Sequence, residues 1–339
     1  MDILRDEGVI NMEQLVEKQF SEVLIHKAGK GFGADTSNYV KLGDFESYIF
    51  EVKYKGKPTI LRLTHNSHRT REQIEAEMEW VNYLYEHGAL VSKPYLSNEG
   101  GYVVSLKVED NFFYASLFEK AEGQKVDLHH EHFNHQLFEE WGRSTGELHR
   151  LTKSYQPIGV KRPNWDEEEL LYPEKYISLS EKEVHHCAGH LVNELRNLPI
   201  QNDSFGLIHS DIHSGNFFIH EGKIQIFDFD DAQYLWFVHD IAIPIYYSAW
   251  YKFPNGTLQE RSQFAKRFFE SFLKGYEKQN HLDSMWLDKI PLFLNVRDLV
   301  LYNVFHKKMD IPSANERLVT LLKQIRKRIV TGESIIKLT

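Results

Sequence analysis

Residues 208 to 230, IHSDIHSGNFFIHEGKIQIFDFD, constrain the fold of this chain more than any other stretch. Two short apolar runs, Phe217 to Ile219 and Ile224 to Phe227, flank Glu221-Gly222-Lys223, which is the pattern of a β-hairpin with glycine in its turn. Such a hairpin brings Asn216 and Asp228 side by side at its open end, just after His209 and Asp211. A single Asp is often loop punctuation, and Asp228 alone reads as a turn cap. The joint spacing of four polar residues around one hairpin calls for chemistry instead.

The residue types suit phosphoryl transfer, which asks a protein to position a nucleophile and neutralise charge rather than to make covalent bonds. A carboxylate at Asp211 can orient an acceptor hydroxyl and receive its proton. Asn216 and Asp228 offer an amide oxygen and a carboxylate, the hard donors that magnesium takes alongside water and phosphate. Asp230 stands close enough to assist. His209 reads as structural, packing beneath Asp211, while His213 lies inside the loop, where it can meet substrate or phosphate. Asp240, in FVHDIA, reads either as a helix cap or as a brace behind the loop.

Upstream, Met12, Leu15, Val16 and Phe20 fall at helical spacing. The stretch from Lys27 to His65 is rich in β-branched and aromatic residues and reads as three antiparallel strands, with turns near Gly43-Asp44 and Lys55-Gly56-Lys57. Gly29, Gly31 and Gly33 do not match G-x-G-x-x-G and read as tight-turn residues. The Gly43 to Tyr48 turn, which holds Ser47, is the better place for a phosphate-covering segment. Arg62 alternates away from the apolar side chains of its strand. It reads as an exposed cation or, with its forked donors, as a phosphate contact. Thr70 and Gln73 form a capping box for a helix over 71 to 87, and Glu77 on that helix can pair with Arg62. A second hairpin over 101 to 118 turns at Glu109-Asp110-Asn111 and is followed by a crossing segment, EKAEGQKV.

Beyond it, Leu137, Trp141, Leu148 and Leu151 mark a helix in which Gly142 and Gly146 permit close approach of a neighbour. Phe264, Phe268, Phe272 and Tyr276 mark another, and two more helices follow near 286 to 307 and 314 to 330. These aromatic stripes read as core. At 339 residues the chain has room for two lobes, which the pattern divides at 1 to 120 and 121 to 339. With 42% hydrophobic and 26% charged residues it is a globular composition. The terminus MDILRDEGVI lacks a signal-peptide pattern and no run is long enough to span a membrane, so a soluble cytoplasmic protein is expected. The single cysteine, Cys187, fits a reducing compartment. A formal charge of −9 disfavours a nucleic-acid partner. His186 and His190 have a spacing suited to zinc, as part of HHCAGH, and HHEHFNH is a second histidine cluster, but both read as exposed surface.

With these residues in view, the chain resembles the aminoglycoside phosphotransferase and choline kinase-like family of the protein kinase-like superfamily. HSDIHSGN resembles the family's catalytic loop, IFDFD its metal-binding strand, TILRLTH the strand with the phosphate-contacting cation and FEKAEG the interlobe hinge. The resemblance implies an α+β bilobal fold, with an antiparallel sheet and a helix in the small lobe and a catalytic hairpin in a mostly helical larger lobe. It implies ATP and Mg²⁺ as cofactors and a small-molecule hydroxyl as acceptor. Asp211 becomes the base, Asn216 and Asp228 metal ligands, Arg62 a phosphate contact anchored by Glu77, and the backbone of Glu119 and Ala121 the adenine edge. Arg62 departs from the lysine usual there, and Asp230 replaces the glycine of protein kinases. Trp165, the acidic run Asp166 to Glu169, Tyr234 and Trp236 are candidates for the acceptor pocket. A nucleotide-binding pseudokinase, a protein Ser/Thr kinase and a histidine-based metal hydrolase are the competing readings.

Overall fold

In the computed structural model, which describes residues 14 to 338, two hydrophobic cores sit on either side of a cleft. The smaller core lies between an antiparallel sheet and two N-terminal helices, α1 (Gln14–Gln19) and α2 (Glu22–Phe32). Of the first helical stripe, Met12 lies outside the described residues, Val16 is buried, and Phe20 stacks on Tyr48 with ring centroids 3.7 Å apart. The sheet contains β1 (Asp35–Gly43), β2 (Tyr48–Tyr54), β3 (Lys57–His65), β4 (Pro94–Tyr95), β5 (Val104–Val108) and β6 (Asn111–Glu119). Their order is β1-β2-β3-β6-β4, with β5 on β6. Lys55 and Gly56 both take positive φ, 50° and 80°, the two-residue turn whose twist matches that of the flanking strands.

The expectation of strand from Lys27 onward is corrected here, because Lys27 to Phe32 complete α2. Glycine there permits close packing rather than a turn: a Cβ on Gly29 would lie 2.4 Å from Thr36 Cγ2, and one on Gly31 would lie 2.8 Å from Val104. Only Gly33 acts as punctuation, ending the helix in the left-handed region at φ 71°. The next helix, α3 (Arg71–Glu86), begins with the expected Thr70–Gln73 capping box. Its Trp80, Val81 and Leu84 join the larger core, so α3 ties the sheet to the rest of the molecule.

The larger core is mainly helical. Around it stand α4 (His135–Thr152), α5 (Lys182–Arg196), α6 (His239–Lys252), α7 (Leu258–Tyr276), α8 (Ser284–Leu287), α9 (Ile290–Lys308) and α10 (Glu316–Thr331). Short strands β7 (Phe205–Ile208) and β10 (Gln233–Trp236) pair antiparallel, as do β8 (Phe217–His220) and β9 (Lys223–Ile226). Helices α4 and α7 meet backbone to backbone. A Cβ on Gly142 would lie 1.8 Å from the Phe272 carbonyl oxygen, and one on Gly275 would lie 1.7 Å from that of Glu139. Gly146 makes the same allowance at Tyr276. Trp141 of α4 carries this rigid crossing to the β8–β9 hairpin, edge-on to Phe217 at 4.7 Å. Among the described residues, no helix is long and apolar enough to cross a membrane.

Candidate active site

The β8–β9 hairpin turns at Glu221 and Gly222, with Phe217 opposite Ile226, so Asn216 and Asp228 emerge together at its open end. The Phe227 amide donates to the Asn216 carbonyl at 2.9 Å, adding one backbone bond beyond the paired strands. Asn216 turns its Nδ2 toward Asp211, 2.9 Å from the carbonyl oxygen and 3.4 Å from Oδ2, which points its amide oxygen the opposite way. Asp228 opens onto the cleft, yet the protein atoms crowding its carboxyl withdraw water and Asp230 adds like charge, and its pKa is pushed up to about 7. A hard divalent cation satisfies such a carboxylate, and the facing amide oxygen is a donor of the same class.

Asp211 is held by a different set of groups. Burial alone would raise it, but the Arg297 guanidinium and His213 outweigh that and hold its carboxyl well below the usual range. Arg297 Nη2 lies 2.8 Å from Asp211 Oδ1, and its Nε donates to the Tyr247 hydroxyl at 2.9 Å. His213 Nε2 lies 3.4 Å from Asp211 Oδ2, and burial holds the imidazole below its ordinary pKa. So His213, expected to meet substrate or phosphate, lies against the Asp211 carboxylate.

The loop that carries Asp211 is fixed from behind by Asp240. It accepts the backbone amides of His209 at 3.1 Å and Ser210 at 2.8 Å, and lies 3.2 Å from His149 Nε2. It sits inside the first turn of α6, whose cap is Val238, so of its two sequence readings the brace is the observed one. The brace supports an unusual backbone, since Ser210 has φ 70° and Asp228 φ 66°. For residues with a side chain that conformation costs roughly 1 to 2 kcal/mol. His209 spans the two arms, with Nε2 3.1 Å from the Phe227 carbonyl and Nδ1 accepting the Asp211 amide at 3.3 Å.

Across the cleft, Arg62 is buried rather than exposed, and it pairs bidentately with Glu77 at 2.9 and 2.6 Å. Its Nη1 also lies 3.7 Å from Asp230 Oδ1. Asp230 is otherwise taken up by His68 at 2.7 Å and Arg69 at 3.2 Å. Although burial opposes it, Arg69, the His68 hydrogen bond and Arg62 hold Asp230 well below the usual carboxylate range. Ser47 directs its hydroxyl inward to Thr64 Oγ1 at 2.8 Å. At the crossing, the Glu119 amide donates to Lys93 O at 2.8 Å, and Ala121 is buried.

Beside Asp211 lies a cavity of about 100 Å³, lined by Glu46, Glu168, Asp231, Arg297 and Tyr247 among others. Burial, Glu46 and Asp211 together hold the Asp231 carboxyl well above its ordinary range. Trp165 reaches this cavity, but Trp236 does not. The Trp236 ring is fully buried and its Nε1 donates to Pro199 O at 2.8 Å, so it is core rather than pocket. Tyr234 is half-buried and does not line the cavity, and Glu169 is engaged by Lys175 and Lys307. The histidine clusters stand apart: His186 and His190 face each other at 3.1 Å on an exposed surface, and His130, Glu131 and His132 are exposed as well.

Sequence reasoning missed Arg297, Glu46 and Asp231. A usable signal for Arg297 lay in IPLFLNVRDLVLYNVF, an apolar helix in which a buried charge must have a partner. The adjacent Asp298 obeys the same rule, lying 2.5 Å from Arg328.

Comparison with known proteins gives concordant matches. Residues 41 to 283 match the model of the phosphotransferase enzyme family. An amicoumacin kinase of Bacillus subtilis (strain 168) is 38% identical over 333 residues, covering 96% of this chain and 97% of that protein. A solved amicoumacin kinase, in complex with AMP-PNP, Ca²⁺ and Ami, superposes with a TM-score of 0.91 at 35% identity, covering 97% of this chain and 98% of that one. A microcompartment-associated aminopropanol kinase shares the fold, with a TM-score of 0.74 at 19% identity over 94% of this chain and all of that one (100%).

Proposed function

The chain belongs to the phosphotransferase enzyme family and is a kinase that uses ATP and a divalent metal to phosphorylate a small-molecule hydroxyl; we propose that its acceptor carries an amine near that hydroxyl. The observation behind this reading is the acceptor cavity. Glu46, Glu168, Asp211 and Asp231 line it against one lining lysine or arginine, Arg297, which Asp211 engages; Arg69 and Lys308 reach Asp231 and Glu46 from outside the lining, so the carboxyl groups still outnumber the cations. A cavity with that surplus of carboxylates favours a cationic ligand. Amicoumacin, on which the Bacillus subtilis relative acts, is the first acceptor to test.

Asp211 takes the role of base. Its depressed pKa keeps it ionised at neutral pH, Arg297 fixes its rotamer, and Asp240 fixes the backbone beneath it. Asn216 and Asp228 would hold the metal, which we take to be magnesium because both offer oxygen donors. When bound, it neutralises charge on the triphosphate. Arg62, oriented by Glu77, contacts phosphate oxygens with the face its partner leaves open. The backbone of the Gly43 to Tyr48 turn, including Ser47, covers the phosphates, and Glu119 and Ala121 meet the adenine edge. Nucleotide then sits between an N-terminal lobe ending at residue 120 and a C-terminal lobe from 121 onward, in a protein working in the cytoplasm.

The deciding experiment follows ADP release with amicoumacin, aminoglycosides, choline, homoserine and amine-free sugars, with Asp211→Asn as the control. Turnover of amine-bearing alcohols that is lost in Asp211→Asn is expected. A preference for the amine-free sugars would sink the amine assignment.

A further inference from the structure

The cavity beside Asp211 is too small for a drug-sized acceptor. Sites for drug-sized ligands span roughly 300 to 1,000 Å³, whereas this one measures about 100 Å³. The connection between β1 and β2, a segment of the opposite lobe, contributes Phe45 and Glu46 to its lining. Phe45, at the tip of that turn, is 8% exposed and belongs to the hydrophobic core of the large lobe rather than to that of its own sheet. Glu46 extends beside it into the cavity lining. The Glu46 carboxylate then bridges two lobes: Oε1 lies 3.6 Å from Lys308 Nζ at the end of α9, and Oε2 lies 3.5 Å from His68 Nε2 after β3. The Lys308 ammonium also stands 5.8 Å from the Phe45 ring centroid. At the base of the turn, Asp44 pairs with Lys41 at 2.7 Å and Ser47 with Thr64 at 2.8 Å, so a braced stem carries a tip that docks across the cleft.

We infer that Phe45 and Glu46 form a latch by which the nucleotide lobe gates the acceptor cavity, tethered by Lys308 and lifting to admit acceptor. The inference rests on the small-molecule kinase reading and adds a gating element to it. Because the stem of the turn is braced by Lys41–Asp44 and Ser47–Thr64, only its tip need lift to admit acceptor. The tether is partly solvated and longer than a close ion pair, so it is weak enough to release in each cycle.

Lys308 does not line the cavity, which makes Lys308→Met the discriminating variant. In the nucleotide-free protein, hydrogen exchange of the peptide covering residues 43 to 49 is slow in wild type and accelerates in Lys308→Met. Stopped-flow association of amicoumacin, with AMP-PNP and Mg²⁺ present, accelerates about two- to fivefold, because a larger fraction of the protein is open. The AMP-PNP dissociation constant stays within about twofold, since the tether does not touch nucleotide. Phe45→Ala accelerates both association and dissociation of amicoumacin, because the roof itself is gone. Unchanged exchange at residues 43 to 49, or a loss of AMP-PNP affinity that parallels every change in amicoumacin binding, overturns the latch. A wild-type protein that binds amicoumacin at no concentration refutes that acceptor and the gating role with it, and the exchange data then decide whether the bridge between lobes exists.

Discussion

The two segments flanking the β8–β9 hairpin, the loop Ser210 to Asn216 and the segment Phe227 to Asp231, carry their carboxylates under opposite conditions. Asp211 is buried and compensated within the chain by Arg297 and His213, and its pKa falls. Asp228 opens onto the cleft, its own protein environment opposes its charge, and its pKa rises to about 7. The first is an anion the fold has already stabilised. The second would acquire its full stabilisation as an anion from a bound cation, and the two conditions suit the base and metal-ligand roles proposed for them.

The largest test of this contrast is Asp211→Asn. Removing the base is expected to cut kcat by about 10² to 10⁴, measured by ADP release at saturating acceptor; a loss below tenfold would mean that Asp211 only positions its neighbours. Arg62→Met removes a buried partner and leaves Glu77 uncompensated, which is expected to destabilise the fold by about 3 to 5 kcal/mol in urea unfolding. If the midpoint does not move, Glu77 has found another partner. Proton competition at Asp228 comes next. Its folded pKa is raised, so below about pH 7 a proton must leave before metal binds, and calorimetric Mg²⁺ affinity with AMP-PNP falls by up to about tenfold per pH unit there. In Asp228→Asn that slope disappears. In the metal-free protein the same raised pKa makes the Asp228 contribution to stability greatest at low pH, declining as pH rises through about 7.

Arg297→Met probes the other arm. With the largest opposing cation gone, burial raises Asp211, and the acid limb of kcat/KM for acceptor, followed at saturating Mg²⁺ and ATP so that Asp228 is already occupied, moves upward toward neutral pH from its wild-type position below the ordinary Asp value. A limb that stays in place would assign the low pKa to His213 instead. The smallest effect is expected for Ser210→Gly, which relieves the left-handed backbone and adds up to about 1 kcal/mol of stability. Its kcat should fall if that strained turn is needed to aim Asp211.

Legibility followed the range of the interactions. The hairpin with its paired Asn216 and Asp228, the Thr70 capping box and the Arg62–Glu77 pairing were all readable because each depends on local spacing or on two adjacent elements. Arg297 was not, since 86 positions separate it from Asp211 and only the packed helices bring them together. Gly29 and Gly31 misled because glycine serves both to turn a chain and to let two elements touch, and sequence does not say which. Trp236 misled similarly: an aromatic near a site looks the same in sequence whether it lines a pocket or fills the layer beneath.

The glycine crossing of α4 and α7 bears on how such a protein can change its clientele. With main chain against main chain at Gly142 and Gly275, these helices have no slack to take up, and through Trp141 they act as a datum from which the positions of Asn216 and Asp228 are measured. The far wall of the acceptor cavity, with Glu168 and Leu170 in a short 3-10 turn, is not part of that glycine crossing. Substitutions can recut that wall for a new alcohol while the distance from base to metal arm stays as it was.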